Sequence, residues 1–193
     1  MTAAIAATPT HTETRRYWPI VAAVALAVLT VVNPGPDGVE LAAGADLAQI
    51  VAASALVYLG AAALRNQAAA WPVFIGEFVA ITVGDIVGFD STWLFFAAAV
   101  VFVGYGLATG ALRPRHGLPL QTVAMLGFGA IAVAALAASP TIGAYLVAAG
   151  LFGHAAWDVH HHRTNRVVVR SMAEFCVVLD TLLAIAIIAA TLL

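Results

Sequence analysis

Long apolar segments alternate with short polar connections along nearly the whole chain. Seven segments approach or exceed the roughly 20 mostly apolar residues that a helix needs to cross a membrane. They cover residues 17–32, 41–64, 68–89, 92–112, 118–138, 142–159 and 167–193. Turn-forming sequences rich in proline and glycine, such as residues 33–38, separate them. The pattern predicts an all-α polytopic membrane protein, folded as a compact bundle of seven transmembrane helices.

The amino-acid composition supports the same class of protein. Of the 193 residues, 63% are hydrophobic and 9% are charged, whereas a soluble domain has about a quarter charged residues. We therefore expect a short polar tail at residues 1–16 and a single transmembrane domain at 17–193. The expected partner is a membrane lipid or a lipophilic small molecule, and no basic surface for nucleic acid is indicated. The sequence leaves the oligomeric state open, and its single cysteine, Cys176, allows no intramolecular disulfide.

The distribution of charge predicts an orientation in the membrane. All eight basic residues are arginines, and with seven spans all of them fall on one side: Arg15, Arg16, Arg65, Arg113, Arg115, Arg163, Arg166 and Arg170. The opposite connections carry no arginine, and their charged residues are all acidic: Asp37, Glu40, Asp46 and Asp90. The positive-inside rule then places the N-terminus in the cytoplasm and the C-terminus outside, with the first span as an uncleaved anchor. Alanine-rich, arginine-only usage is typical of a bacterial protein, so the expected location is the bacterial inner membrane.

The sixth segment ends in a cluster of histidines and one carboxylate. Within it, His154, Asp158 and His161 have the spacing i, i+4, i+7 and therefore share one face of a helix. His162 lies near this face, whereas His160 points away from it. Imidazole nitrogen and carboxylate oxygen are ligands that Zn²⁺ and non-haem iron favour, which makes His154, Asp158, His161 and His162 candidate metal ligands. Alternatively, the histidines at the helix end are simply solvated among the lipid headgroups.

Four further carboxylates lie within or near the ends of apolar segments: Glu77 and Asp85 in the third, and Glu174 and Asp180 in the seventh. A carboxylate at membrane depth must be paired, protonated or bound to a cation. A rise of about 1.5 Å per residue puts Glu77, His154 and Glu174 at similar depths, so we expect them to meet in one cavity. Asp85 and Asp180 would extend a polar track outward from it.

Two residues near the arginine-rich side complete the set of candidates. Arg170 either pairs with Glu174, four residues further along, or holds an anionic head group of the substrate. Trp157 suits an interfacial anchor, with a contact to the substrate as the alternative. Together with Asp85 and Asp180, these two residues are candidates for substrate binding.

Resemblance to known families adds little to these residues. The chain contains no lysine, so it cannot form the Schiff base of the seven-helix retinal proteins. The run Asp158-Val159-His160-His161-His162 resembles part of one histidine box of membrane desaturases, but no other span contains a histidine. Seven spans with histidines in the inner leaflet resemble the architecture of the ceramidase and adiponectin-receptor group of zinc hydrolases. That group shares its histidines between separate helices, whereas here the sixth span supplies nearly all of them.

Three functions are compatible with these features. The favoured one is a metal-dependent membrane hydrolase that acts on a lipophilic substrate from the cytoplasmic leaflet, with Zn or Fe as the cofactor. Asp158, Glu77 and Glu174 would then supply catalytic carboxylates, one of them as general base. The second is a proton- or cation-coupled transporter or channel that uses the intramembrane carboxylates. The third is a metal-free acid–base cyclase or isomerase of isoprenoids, since small seven-helix terpene cyclases are similar in layout.

Overall fold

The computed structural model of the chain describes residues 11–32 and 47–193, with side chains from residue 16 onward. This part of the chain is all-helical and contains seven α-helices. They are α1 (His11–Val32), α2 (Ala48–Ala63), α3 (Ala70–Val87), α4 (Thr92–Ala108), α5 (Leu118–Ala137), α6 (Pro140–Thr164) and α7 (Arg170–Leu192). Each of them overlaps one predicted segment, which confirms the all-α class. The predicted turn at residues 33–38, most of the polar tail and the acidic residues Asp37, Glu40 and Asp46 lie outside the described residues.

Four helical segments in the described part are long and apolar enough to cross a membrane. They are the 3-10 turn joined to α3 (Gln67–Val87), α5, α6 and α7, and the other three helices are shorter apolar ones. Seven crossings and the positions of the termini therefore remain predictions. The shortest of the seven crossings would be made by α2 and α4, and α2 is shielded from lipid by its neighbours.

Helix α2 forms the centre of the bundle. It is rich in alanine, the strongest helix former, and nearly every one of its residues is buried, as expected for a helix that is apolar on all sides. Helices α3, α4, α5 and α6 pack around it, while α7 packs mainly against α6 and α1. Polar side chains on α2 therefore reach the helices around it: Tyr58 bonds to Asp158 on α6, and Gln49 bonds to Asp85 on α3.

The ends of α6 and α7 differ from the predicted boundaries. Helix α6 continues through the whole histidine run to Thr164, and Asn165 ends it in the left-handed conformation with φ of 50°. Helix α7 begins at Arg170 rather than at residue 167, because Val167 has φ of 69° and cannot join a helix. The histidine cluster is therefore wholly helical, and its side chains follow helical periodicity.

Small residues recur every four positions in α3, at Gly76, Ala80 and Gly84, and this spacing predicts a close helix approach. In the structure the glycines of this face do not contact a neighbouring helix; Gly84 packs instead against the turn that follows α3. A Cβ on Gly84 would lie 2.5 Å from Ser91 Oγ and 2.6 Å from the Phe89 carbonyl oxygen, whereas a Cβ on Gly76 would meet nothing within 4 Å. Gly84 therefore lies in a tight turn, whereas Gly76 lies beside open space.

Candidate metal centre

A group of buried polar side chains occupies the middle of the bundle, where α2, α6 and α7 meet. Its core consists of His154 and Asp158 on α6 and Asp180 on α7, all of them at most 1% exposed. His154 and Asp158 share a helix face because they are four residues apart, and Asp180 reaches them from the adjacent α7. The packing of α6 against α7 therefore brings two carboxylates to one imidazole.

The His154 imidazole lies between the two carboxylates. Its Nδ1 atom is 2.9 Å from Asp180 Oδ2 and 3.2 Å from Asp158 Oδ2. The nitrogen carries at most one proton, and its hydrogen bond goes to Asp180, so Asp158 Oδ2 is left without a hydrogen bond. The rings of Tyr58 and Phe128 contact the imidazole edge-on at centroid distances of 5.3 and 5.1 Å, which fixes its orientation.

Tyr58 on the central helix orients the Asp158 carboxylate. Its hydroxyl donates to Asp158 Oδ1 at 2.5 Å, and the whole side chain is buried. This bond occupies one carboxylate oxygen and turns the other, Oδ2, toward His154. Ser54, one turn earlier on α2, lies beside Asp180. Tyr58 was not predicted as a site residue, although it is the one aromatic residue of α2.

The three core residues form a group that could hold a metal ion. One ligand atom from each of His154, Asp158 and Asp180 lies within 4.8 Å of the other two. Two ligands at 2.0–2.1 Å from one Zn²⁺ ion are at most about 4.2 Å apart, and both Nδ1–oxygen distances fall below that limit. A single imidazole with two carboxylates fits the ligand preferences of Zn²⁺ and Fe²⁺.

Glu77 on α3 approaches the same group. It is 5% exposed, it interacts electrostatically with His154, and neither of its carboxylate oxygens has a hydrogen-bond partner. In the described residues, the only ion pairs at this site join His154 to the two aspartates, and no arginine reaches it. Three carboxylates therefore share one imidazole, which leaves an excess of negative charge when they are ionised.

His161 forms a separate network nearer the arginine-rich end. Its Nδ1 donates to the Trp157 carbonyl oxygen at 2.9 Å, so its Nε2 carries the lone pair, which accepts from Gln121 Nε2 at 3.2 Å. The same amide group of Gln121 also donates to the His116 carbonyl oxygen, and Gln121 Oε1 accepts from Trp157 Nε1. Both nitrogens of His161 are thus engaged, and the bonds of Gln121 to His161 and Trp157 hold α5 to α6.

The other predicted site residues lie further from the core group. His162 and Glu174 are half-buried, and Arg170 is exposed; no ion pair joins Arg170 to Glu174 in the part of the chain that the structure describes. Glu174 lies on a different face of α7 from Asp180, six residues further along. Asp85, near the far end of α3, accepts from Gln49 Nε2 at 3.3 Å. The sequence predicted that Glu77, His154 and Glu174 would lie together. In the structure, the carboxylate of α7 that lies beside His154 is Asp180 rather than Glu174.

Comparisons with known proteins do not assign this arrangement. No protein family matches the sequence, and no curated protein or solved structure is significantly similar to the chain. Function must therefore be argued from the site itself.

Proposed function

We propose that this protein is an integral membrane enzyme that crosses the bilayer seven times and holds a divalent metal ion, Zn²⁺ or Fe²⁺, with His154, Asp158 and Asp180. It acts on a lipophilic substrate, with hydrolysis as the preferred reaction. The observation that carries the proposal is the group of three buried ligand atoms within 4.8 Å of one another. The arginine distribution supports a cytoplasmic N-terminus and an outside C-terminus.

The charge of the site supports a cation. Burying an ionised carboxylate is costly unless it is paired, and Asp158, Asp180 and Glu77 have only one imidazole among them. A divalent ion offsets two of the negative charges and uses the Asp158 oxygen that lacks a hydrogen bond. The ligand set also differs from the one suggested by the sequence, because His161 already uses both of its nitrogens in the network with Gln121 and Trp157.

Glu77 is suited to proton transfer in this enzyme. Three protein ligands leave a coordination position open, as in catalytic zinc sites, and the ion would supply Lewis acidity that lowers the pKa of water to about 7. Glu77 has two unpaired oxygens beside His154 and would accept the proton from the attacking water and return it to the leaving group.

The packing on the side of the site away from the arginines does not favour the conduction of ions or protons through it. On the side away from the arginines, α2 and α6 contain fully buried aliphatic residues, among them Val51, Val147 and Leu151, and a separate polar group of Gln49, Asp85 and Ser91 lies toward that end of the bundle. Polar residues instead continue toward the arginine-rich end through Tyr58, His161 and Gln121. A transporter or channel needs a continuous polar path to both faces, so the buried aliphatic residues on this side of the site favour an enzyme.

Hydrolysis can be tested with protein reconstituted in liposomes. We expect the zinc- or iron-loaded protein to cleave at least one of a panel of long-chain fatty esters and amides, and a chelator to abolish the cleavage. Glu77→Ala should lower the rate by about 100-fold or more, because general base catalysis contributes 10²–10⁴-fold. Thr82→Val, on the exposed surface of the same helix, is the matched control. A metal-loaded protein inactive on every substrate would contradict the hydrolase.

One observation favours a metal-free acid as the second candidate. His154 Nδ1 lies within 3.2 Å of two carboxylate oxygens, which is also the environment of a protonated imidazole. Such a group, with Glu77 beside it, would suit a cyclase or isomerase that protonates an isoprenoid. Activity that persists after complete removal of metal would select this function over the hydrolase.

A further inference from the structure

Unpaired polar atoms are concentrated at one place in the bundle. In the described ranges, the buried side-chain atoms without a hydrogen-bond partner are Glu77 Oε1 and Oε2, His154 Nε2, Asp158 Oδ2 and Thr92 Oγ1. All but the last belong to the candidate metal centre. Buried polar groups are normally paired, so such a concentration indicates that a polar ligand binds there.

A metal ion accounts for only part of this set. It would engage Asp158 Oδ2 and His154 Nδ1, which lie on the side of the imidazole that faces α7. The Nε2 atom is on the other edge of the ring, and Glu77 does not belong to the three-residue group. These two side chains therefore require a second binding partner.

We propose that Glu77 and His154 Nε2 bind the hydroxyl group of a long-chain alcohol, as the free lipid or as the alcohol that ester hydrolysis releases. This inference rests on the proposed function, because a metal on Nδ1 leaves the proton of the neutral imidazole on Nε2. The site then presents one donor, Nε2–H, and one acceptor, the Glu77 carboxylate. A hydroxyl group satisfies both, whereas an ammonium group only donates and a ketone only accepts.

The surroundings of Glu77 suit the alkyl chain of such an alcohol. An apolar groove with a volume of about 320 Å³ runs along α3 from Phe89 and Ser91 to Gly76, the residue next to Glu77. Glu77 itself does not line the groove, but its neighbour Gly76 does, and a Cβ on Gly76 would meet no atom within 4 Å. Val79 and Val83 line the groove and are about half exposed, which opens it sideways to the membrane.

The position of the groove gives the direction of approach. It follows the half of α3 that leads away from Arg65 and toward Asp90, which is the outer half in the predicted orientation. The alkyl chain would thus lie in the outer leaflet while the hydroxyl group reaches Glu77 at mid-depth. This differs from the approach through the cytoplasmic leaflet that the sequence suggested.

Photolabelling of the zinc-loaded protein in nanodiscs tests the site directly. The probes are a long-chain alcohol with a diazirine next to the hydroxyl group and its methyl ether, which lacks the donor for Glu77. We expect the alcohol to label peptides of α3 and α6 around Glu77 and His154 at least about tenfold more than the ether, since sites built for a hydroxyl reject analogues without it. Hexadecanol should compete with the label, and hexadecane should not.

Substitutions distinguish a loss of alcohol binding from a loss of folding or of bound zinc. Glu77→Leu should lower labelling at least about tenfold, Glu77→Gln should keep most of it because the amide oxygen still accepts, and Thr82→Val should change nothing. Gly76→Leu, which fills the end of the groove, should reduce labelling with the zinc content unchanged. Equal labelling by alcohol and ether, absence of labelling at both helices, or labelling that survives Glu77→Leu would overturn this inference. Because zinc content is measured on the same samples, its absence would instead count against the proposed function.

Discussion

Replacing His154 with alanine or Asp180 with asparagine is expected to lower the affinity for Zn²⁺ by more than about 100-fold, because even groups that only support a metal ligand contribute 10–100-fold. His154 supplies the only nitrogen ligand of the group, and Asp180 lies 2.9 Å from it. Asp180→Asn keeps the shape of the side chain and removes its charge, so the loss reports ligation rather than packing. Metal analysis of purified protein, with titration against a chromophoric chelator, measures the change.

Two other histidines of α6 serve as comparisons for this result. His160 is exposed, so His160→Ala should bind zinc as the unsubstituted protein does. His161 is buried with both nitrogens bonded, to the Trp157 carbonyl and to Gln121. A loss of zinc in His161→Ala equal to that in His154→Ala, with the fold intact, would instead support the ligand set predicted from the sequence.

Gln121→Leu is expected to destabilise the protein by about 2–4 kcal/mol. Gln121 is fully buried, and its amide group bonds to the Trp157 indole, to His161 Nε2 and to the His116 carbonyl oxygen at 3.1–3.3 Å. Leucine would fill the space and leave one buried and two partly buried polar groups without partners. Because bonds between membrane helices contribute less than those in water-soluble cores, the estimate stays below the sum for three independent losses.

Unfolding followed by intrinsic tryptophan fluorescence in mixed detergent measures this loss of stability. Thr122→Val is the matched control, since the neighbouring hydroxyl bonds only to the Leu118 carbonyl of its own helix and its removal should cost less than about 0.5 kcal/mol. Equal stability of Gln121→Leu and Thr122→Val would show that the network does not hold α5 to α6. His161 would then be available for another role.

The helices themselves were predictable from the sequence because apolar length and turn residues are local properties. Each helix in the described part overlaps a predicted segment, but several ends shift: α1 begins at residue 11 rather than 17, α4 ends at 108 rather than 112, α6 ends at 164 rather than 159 and α7 begins at 170 rather than 167. The face of α6 was also predictable: His154, Asp158 and His161 are all buried, whereas His160 is exposed. Periodicity within one helix fixes which residues share a face, and the structure confirms that pattern.

The composition of the site could be predicted only in part, because it depends on how neighbouring helices are rotated. Depth along α7 made Glu174 a candidate beside His154, but the rotation of that helix turns Asp180 toward α6 instead. Neither Tyr58 nor Gln121 was predicted as a site residue, since a polar residue in an apolar helix does not by itself reveal its partner on another helix. The contact between α2 and α6 that joins Tyr58 to Asp158 links residues 100 positions apart, and no local pattern encodes it.

The most direct test of the metal centre is X-ray absorption spectroscopy of the zinc-loaded protein. We expect about one zinc ion per chain with a single imidazole nitrogen and carboxylate oxygens at about 2.0–2.2 Å, and loss of the imidazole signal in His154→Ala. A first shell with several imidazoles, a shell unchanged by His154→Ala, or a protein that binds no zinc would contradict the account.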